Sequence, residues 1–287
     1  MSRIARRARV RPPVLPPGTI LQLRYVRERL ARLRPGRFIE VGTGAGELSA
    51  LLLDVGWTGV GYEPGAAAGR ARRRNAQGLA DGRYELREVD WLIAAPDEPA
   101  DLVISSMVIE HLPEAQEAMY FRRARAALRP SGRAIVLVPA SPRHWGIEDD
   151  IAGHQRRYER AGLARRLSEI GWELEHVAGL TFPLSNLLLP VSNRLVARAE
   201  SDRLAMSELD RTLLSGDRDV AGKTSFPSVA HLVLNDQMLY PLHLLQRAFR
   251  DSDRALVLYG EAKPRSAGND EAPRPDGRSD SGGGEEP

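Results

Sequence analysis

Short apolar runs alternate with helical patterns along most of the chain. Runs typical of β-strands occupy residues 38–42, 59–63, 84–90, 101–106, 133–139, 172–180 and 255–261. Apolar side chains recur at helical spacing over residues 20–33, 48–55, 66–76, 114–128 and 159–170. Strands that alternate with helices in this way predict an α/β fold with a doubly wound, mostly parallel sheet.

Residues 181–253 interrupt this alternation before the last predicted strand. Two apolar stretches, 182–196 and 229–249, flank a charged segment at 200–223. A connection of this length needs structure of its own, so we predict a helical insert. Its leucines allow three roles: a lid that packs over an acceptor pocket, a contact with membrane lipid, or an oligomer face.

Two tails bracket the predicted domain, which spans residues 19–263. Residues 1–18 carry five arginines and four prolines, which predicts a flexible basic arm that is solvated or touches anionic membrane or nucleic acid. Residues 264–287 are rich in Gly, Pro, Ser and acidic side chains, with almost no large apolar ones. Such a composition predicts a disordered tail.

The amino-acid composition excludes several kinds of functional site. The chain has no cysteine, which excludes disulfides, thiolate metal sites, iron–sulfur clusters and cysteine nucleophiles. Its formal net charge is only +3, so the chain as a whole does not favour polyanions. No apolar run reaches the roughly 20 residues that span a bilayer, and the N-terminus lacks the apolar core of a secretory signal. We therefore expect a cytoplasmic protein, with membrane association only through the insert.

A glycine loop follows the first predicted strand, where residues 38–46 read FIEVGTGAG. Gly42, Gly44 and Gly46 leave the backbone bare, as a loop requires that turns tightly against a ligand. In a doubly wound sheet, ligands bind at the carboxyl ends of strands, where this loop would lie. Its G-x-G-x-G spacing differs from the G-x-G-x-x-G of dinucleotide-binding folds. The next strand ends at Glu63, which can accept hydrogen bonds from ribose hydroxyls in either kind of fold.

Further segments follow in register. They read GYEP at 61–64, EVDW at 88–91, DLVISSMVIEHLPE at 101–114 and LRPSGRAIVLVP at 128–139. Together with EVGTGAGELS, over roughly residues 36–180, they resemble the class I S-adenosylmethionine-dependent methyltransferase superfamily. The resemblance implies a Rossmann-like, seven-stranded sheet whose last strand, residues 255–261, is antiparallel. It also implies S-adenosylmethionine as the cofactor.

The same resemblance implies which residues surround the cofactor. The first loop supplies Glu40, Gly42, Thr43, Gly44 and Gly46, with Glu40, Gly42 and Gly44 by the methionine part. Later strand ends supply Glu63 for the ribose, Asp90 and Trp91 for the adenine, and Ser105 and Ser106 near the sulfonium. From the residues alone, Asp90 also suits a helix N-cap and Trp91 a core position.

Transfer to an oxygen acceptor calls for a general base, and histidine suits this role because its pKa lies near operating pH. His111 follows the fourth strand, where it either lines the acceptor site or caps a turn. The segment HQRRY at 154–158 resembles a subgroup associated with sugar or glycolipid pathways. His154 and Tyr158 are therefore catalytic candidates, against the alternative that this segment is solvated and Tyr158 packs on a helix. Residues 148–150 and His154 could also be read as a metal cluster, but loop acidity without matching ligands elsewhere disfavours it, so we predict no metal site.

These observations favour a methyltransferase that acts on a small molecule by O-methylation of a sugar, glycolipid or secondary metabolite. The acceptor would be lipid-linked or glycosylated, and peripheral membrane contact and oligomer formation stay open. A nicotinamide-dependent reductase is disfavoured by the loop spacing and by the lack of a Tyr-x-x-x-Lys pair. A nucleic-acid methyltransferase would need a basic, aromatic-rich groove, and no nucleic-acid partner is expected. A non-catalytic binding subunit is disfavoured by the intact glycine loop and Glu63.

Overall fold

The computed structural model of the chain describes residues 13–95, 98–215 and 220–265. Seven strands in these ranges form one sheet with the order β3-β2-β1-β4-β5-β7-β6. They are β1 (Arg37–Val41), β2 (Thr58–Tyr62), β3 (Tyr84–Arg87), β4 (Ala100–Ser106), β5 (Leu128–Pro139), β6 (Trp172–Leu180) and β7 (Val257–Pro264). All paired strands are parallel except β7, which is antiparallel to β5 and β6. The predicted fold class is confirmed.

Helices lie between these strands and cover the sheet. They are α1 (Pro17–Leu30), α2 (Glu47–Asp54), α3 (Ala68–Arg74), α4 (Ala76–Ala80), α5 (Glu114–Ala127), α6 (Ile147–Ala152), α7 (Arg160–Glu169), α8 (Leu184–Glu200), α9 (Glu208–Ser215) and α10 (Tyr240–Ala248). In the described ranges, no helix has both the length and the apolar character needed to span a bilayer.

The core has one apolar layer on each face of the sheet. Phe38 packs with α1, α2 and α3, whereas its neighbour Ile39 packs with α5 and α7 on the opposite face. Successive side chains of a strand point to opposite faces, so a strand buried on both sides is a continuous apolar run. This burial fixes the parallel strands and brings the carboxyl ends of β1 to β5 to one edge of the sheet.

Element boundaries differ from the predicted ones where tertiary contacts decide them. Helix α1 begins at Pro17 instead of residue 20, since proline is well suited to the first helical turn. Strand β5 begins at Leu128 because this residue pairs with Ala100 across an irregular register. Residues 1–12 and 266–287, which hold most of the predicted arm and tail, lie outside the described residues.

The insert contributes α8, α9 and α10 before β7, as predicted. Helix α10 is tied to α1 by polar contacts. Gln246 donates from Nε2 to the carbonyl of Leu21 over 2.9 Å, and His243 Nε2 lies 2.8 Å from Glu28 Oε1. These bonds fix the C-terminal part of the insert against the first helix of the domain.

Candidate active site

A cleft of about 1350 Å³ opens where the parallel strands end. Its floor includes the loops after β1, β2, β3 and β4, and one wall comes from α8 of the insert. Pockets for a single small molecule usually measure about 300–1,000 Å³. The cleft therefore has room for a cofactor and an acceptor side by side.

The three glycines after β1 all have positive φ angles, but they serve different purposes. A Cβ at Gly42 would collide with the side chain of Val108, and a Cβ at Gly46 would lie 2.9 Å from the Cα of Ala71. A Cβ at Gly44 would meet no atom within 4 Å. Gly46 therefore permits packing against α3 and does not border the cleft, which corrects its predicted cofactor contact. Gly44 presents bare backbone to the open cleft.

Glu63 joins the glycine loop to the end of β2. Its Oε2 accepts a hydrogen bond of 2.7 Å from the N–H of Gly44, and its Oε1 accepts one of 2.8 Å from the N–H of Gly65. Burial raises the pKa of Glu63, and these two backbone donors partly offset that rise. The carboxylate predicted to bind the ribose thus faces the loop and borders the cleft.

Glu40, the last residue but one of β1, is almost completely buried and borders the cleft beside Thr43. The hydroxyl of Ser49 donates to its carboxyl group, and the same hydroxyl lies 3.0 Å from that of Tyr84. Burial raises the pKa of Glu40 to about 8 despite the bond from Ser49. Near neutral pH this group therefore carries a proton in the ligand-free chain.

The raised pKa of Glu40 makes the stability of the fold depend on pH. Because the folded chain holds this proton more tightly than the unfolded chain, the stabilisation is complete below pH about 4.3. It is lost as the pH rises through about 8. Between these values we expect the unfolding free energy of the wild type to fall by up to ~1.4 kcal/mol per pH unit relative to Glu40→Gln. Urea unfolding at several pH values measures this difference, and parallel profiles would contradict the assignment.

The predicted adenine end of the cleft is bordered by Asp90 and Trp91. Asp90 Oδ1 accepts a 2.9 Å hydrogen bond from the N–H of Leu92, so the carboxylate begins a turn. The Trp91 ring is buried edge-on against Tyr120, with its centroid 5.1 Å from the guanidinium of Arg123. The Trp91 side chain is thus largely a core residue, and the exposed Asp90 is freer to reach a ligand.

The two serines that end β4 face different ways. Ser106 borders the cleft, whereas Ser105 is buried and accepts a 2.9 Å hydrogen bond from the Tyr120 hydroxyl on α5. Neighbouring residues of a strand point to opposite faces of the sheet, so only one of the pair can reach the ligand. The predicted contact of Ser105 with the cofactor is therefore corrected.

At the far end of the cleft, His154 is held by Asp149. His154 Nδ1 lies 2.8 Å from Asp149 Oδ1, and Arg157 donates to both oxygens of the same carboxylate over 2.8 and 2.9 Å. Burial would raise the pKa of Asp149, but the bonds from His154 and Arg157 outweigh it and keep the pKa below its ordinary value. Because an ionised carboxylate only accepts, Nδ1 carries the hydrogen, and in the neutral ring Nε2 has the lone pair.

Tyr158 does not reach the cleft. Its ring is buried in the core, and its hydroxyl donates a 3.1 Å hydrogen bond to Glu117 Oε1 on α5. Burial also raises its pKa well above the ordinary value. The prediction that Tyr158 is catalytic is therefore wrong, since the side chain serves to pack the loop against α5.

His111 borders the cleft beside His154, and the two ring centroids are 4.8 Å apart. Burial lowers the pKa of His111 to about 4, with a further contribution from His154, so the ring is neutral near pH 7. Glu110, which was not among the predicted site residues, is completely buried, and its Oε1 lies 3.8 Å from His154 Nε2. Its position next to His111 in the sequence was the available signal.

The sheet and the glycine loop indicate the class of protein to which the chain belongs. A largely parallel sheet whose first strand ends in a glycine loop, held by a carboxylate from the second strand, is a Rossmann-like fold of the methyltransferase type. The chain belongs to the family described as "Methyltransferase domain", whose profile matches residues 20–177, more than half of its length. This membership confirms the predicted enzyme class and S-adenosylmethionine as its cofactor.

Individual relatives are more distant. The "Uncharacterized methyltransferase YrrT" of Bacillus subtilis (strain 168) is 31% identical over 115 residues, which are 39% of this chain and 48% of YrrT. The "Uncharacterized methyltransferase GK2543" of Geobacillus kaustophilus (strain HTA426) is 31% identical over 98 residues, 34% of this chain and 44% of that protein. The chain thus matches about half the length of these curated relatives.

Among solved structures, the pyocyanin biosynthetic protein PhzM superposes with a TM-score of 0.45 and 24% identity, over 54% of this chain and 50% of PhzM. The mitomycin 7-O-methyltransferase MmcR gives a TM-score of 0.45 and 21% identity, over 56% of this chain and 50% of MmcR.

Proposed function

We propose that this chain transfers a methyl group from S-adenosylmethionine to a hydroxyl of a small molecule that has an apolar part, such as a glycolipid or a secondary metabolite. One observation carries the proposal. A bare glycine loop and a histidine oriented by a carboxylate open onto the same cleft. The first suits a nucleotide-like cofactor, and the second suits a hydroxyl that must lose its proton.

At the cofactor end, the proposal rests on Gly44 and Glu63. The open space above Gly44 lets a ligand lie directly against the backbone, and Glu63 offers a carboxylate to the ribose hydroxyls. Bound there, the cofactor supplies a methyl group that its sulfonium has already activated. The chain then contributes mainly by holding the acceptor oxygen in line with that methyl group and by excluding water.

At the acceptor end, His154 is the residue suited to accept a proton. Asp149 holds the ring through Nδ1, which leaves the lone pair of Nε2 available. The carboxylate would also stabilise the positive charge that the ring gains. Asp149 is fixed in turn by the two-pronged contact with Arg157, so the ring has a defined orientation.

The nature of the acceptor is inferred from the wall that the insert builds. Leu188, Val191 and Leu195 of α8 border the cleft, and Leu188 and Val191 are 42% and 53% exposed. An acceptor with an acyl chain or a fused ring system would cover these side chains and gain hydrophobic free energy. This favours the lid role of the insert over a membrane contact or an oligomer face. The resemblance of the HQRRY segment to a subgroup associated with sugar or glycolipid pathways also supports an acceptor of this kind.

The proposal is tested in two steps with the purified full chain. Isothermal titration should detect S-adenosylmethionine binding and no comparable binding of a nicotinamide dinucleotide; the reverse preference would overturn the enzyme class. Incubation of methyl-labelled cofactor with cell extract, followed by mass spectrometry, should then yield a product labelled at a hydroxyl oxygen and extractable into organic solvent. A labelled nucleic acid or protein would contradict the proposed acceptor.

A further inference from the structure

Three side chains meet at the acceptor end of the cleft in an arrangement that direct proton acceptance by His154 does not explain. Glu110, His111 and His154 each offer one ligand atom, and these atoms lie within 4.8 Å of one another. Glu110 and His111 belong to a short helical turn after β4, Ile109–His111, and His154 follows α6. The backbone N–H of Gln155 donates a 2.9 Å hydrogen bond to the carbonyl of Glu110, which fixes the two segments together.

The carboxyl group of Glu110 is buried without a hydrogen-bond partner from another residue in the described part of the chain. Its side chain is completely buried, and both carboxylate oxygens lack such a partner. The nearest basic group is His154, whose Nε2 lies 3.8 Å from Oε1, too far for a hydrogen bond. An ionised carboxylate buried in this way is strongly unfavourable unless it takes up a proton, is paired or binds a cation.

The hydrogen-bond partners of the two histidines indicate which ring nitrogen each of them can offer to an ion. His111 Nδ1 lies 3.3 Å from the carbonyl of Gly153, and His154 Nδ1 lies 2.8 Å from Asp149 Oδ1. Carbonyl and ionised carboxylate oxygens only accept, so each Nδ1 carries the hydrogen and each Nε2 is left as a ligand atom. Histidines that bind metals almost always donate their other ring N–H to a carboxylate or a backbone carbonyl, as both do here.

We propose that Glu110, His111 and His154 form a binding site for a divalent transition-metal ion such as Zn²⁺. Two imidazole nitrogens and one carboxylate, with a position left open, are the ligand set of catalytic zinc sites. Asp149 is then a positioning residue that orients His154 and strengthens its lone pair. Ion binding stands independently of the proposed function, but the role of the ion rests on it.

In that role the ion would favour the ionised form of the acceptor hydroxyl. The open coordination position would lie toward the cleft, which His111 and His154 border. A cation at this point lowers the pKa of an oxygen beside it by stabilising negative charge. His154 would then act by holding the ion, and the proton released from the acceptor hydroxyl would pass to water in the cleft. The ion would help most with an acceptor hydroxyl of high pKa, such as that of a sugar, because such a hydroxyl ionises least readily on its own.

The test is direct titration of the chelator-treated, dialysed full chain with Zn²⁺ and with Co²⁺. We expect one ion per chain with a dissociation constant of about 1 µM or below. The visible spectrum of Co²⁺ should indicate nitrogen and oxygen ligands. Glu110→Gln and His111→Ala should each weaken binding at least about 100-fold, and Asp149→Asn about 10- to 100-fold.

Glu117→Gln is the matched control, since Glu117 is another buried carboxylate on the neighbouring helix that is bonded to Arg156 and Tyr158 instead of the histidines. It should retain wild-type ion affinity. No ion bound to the wild type, or equal binding by His111→Ala and the wild type, would overturn the site. His111→Ala keeps the test decisive if Glu110→Gln fails to fold, because His111 lies at the rim of the cleft.

The two proposals fail in different ways. If the metal-free chain methylates the acceptor at the full rate, the ion has no catalytic role, and the proposed function stands with His154 as the base. If the chain binds one ion as expected but transfers no methyl group in the extract assay, the metal site stands and the proposed function falls. Chelator that slows transfer, with recovery on addition of Zn²⁺, supports both.

Discussion

Replacing Gly44 with leucine is expected to abolish measurable binding of S-adenosylmethionine while the sheet still folds. A side chain at this position extends into open cleft, where the cofactor would lie, and meets no neighbouring atom that would unfold the loop. The expected loss of affinity is at least about 100-fold, or about 2.7 kcal/mol. Because Gly44 has a φ angle of +56°, leucine also introduces backbone strain. That strain should lower stability by roughly 1–2 kcal/mol.

The matched control is Gly82→Leu. Gly82 has a φ angle of +69°, a Cβ there would also meet no atom within 4 Å, and the residue lies in the turn before β3, away from the cleft. Both substitutions should lower the thermal midpoint by a similar amount. Only Gly44→Leu should lose the heat of cofactor binding in isothermal titration. Wild-type affinity in Gly44→Leu, or an equal loss in both variants, would remove the cofactor from this loop.

The sheet could be predicted because a strand that is buried on both faces has a continuous apolar sequence. Residues 102–104 and 134–138 are continuous apolar runs, and both lie in the sheet as expected. The predicted strand at 84–90 was too long at its end. Strand β3 is at the edge of the sheet and pairs only with β2, as far as Arg87, so no neighbour holds the residues beyond it.

The cofactor end of the site could also be predicted from the sequence. Strand order places the ends of β1 and β2 side by side, and a glycine loop next to an acidic strand end is informative for that reason. The N–H of Gly44 and the carboxylate of Glu63 lie 2.7 Å apart, as this reasoning requires.

The orientation of single side chains was less predictable. Ser105 and Ser106 are neighbours with the same chemistry, and only the alternation of the strand decides which of them borders the cleft. Tyr158 lies four residues after His154, but the Tyr158 hydroxyl points into the core, where it donates a hydrogen bond to Glu117 of α5. Such choices depend on contacts between segments far apart in the sequence.

The acceptor end depends on contacts of this kind throughout. Glu110 and His154 are 44 positions apart and come together only because the loop after α6 bonds to the turn after β4. The pattern Glu-His after the fourth strand predicted neither the burial of Glu110 nor its missing partner. The prediction of no metal site rested on residues 148–150 and His154, whereas the ion site proposed above takes its carboxylate from Glu110 on another segment.

Replacing His154 with alanine is expected to lower kcat for methyl transfer by about 100- to 10,000-fold, the usual contribution of a positioned acid–base group. The reason is local, because Asp149 presents His154 to the acceptor end of the cleft, whereas Gly44 and Glu63 form the cofactor end. The dissociation constant for S-adenosylmethionine should therefore stay within about threefold of the wild type, a difference well below 1 kcal/mol. Single-turnover rates with the acceptor found in the extract screen, and titration with the cofactor, measure the two quantities separately.

His144→Ala provides the comparison for this variant. His144 also follows β5, and its Nδ1 lies 2.9 Å from Ser141 Oγ, but its side chain does not border the cleft. This variant should keep both its rate and its cofactor affinity. If His154→Ala turns over at the wild-type rate, or if both variants slow equally, the ring has a structural role and neither proton acceptance nor ion binding by His154 drives the reaction. A slow His154→Ala chain that still binds cofactor normally would place the chemical step at the end of the cleft where Asp149, His154 and Glu110 converge.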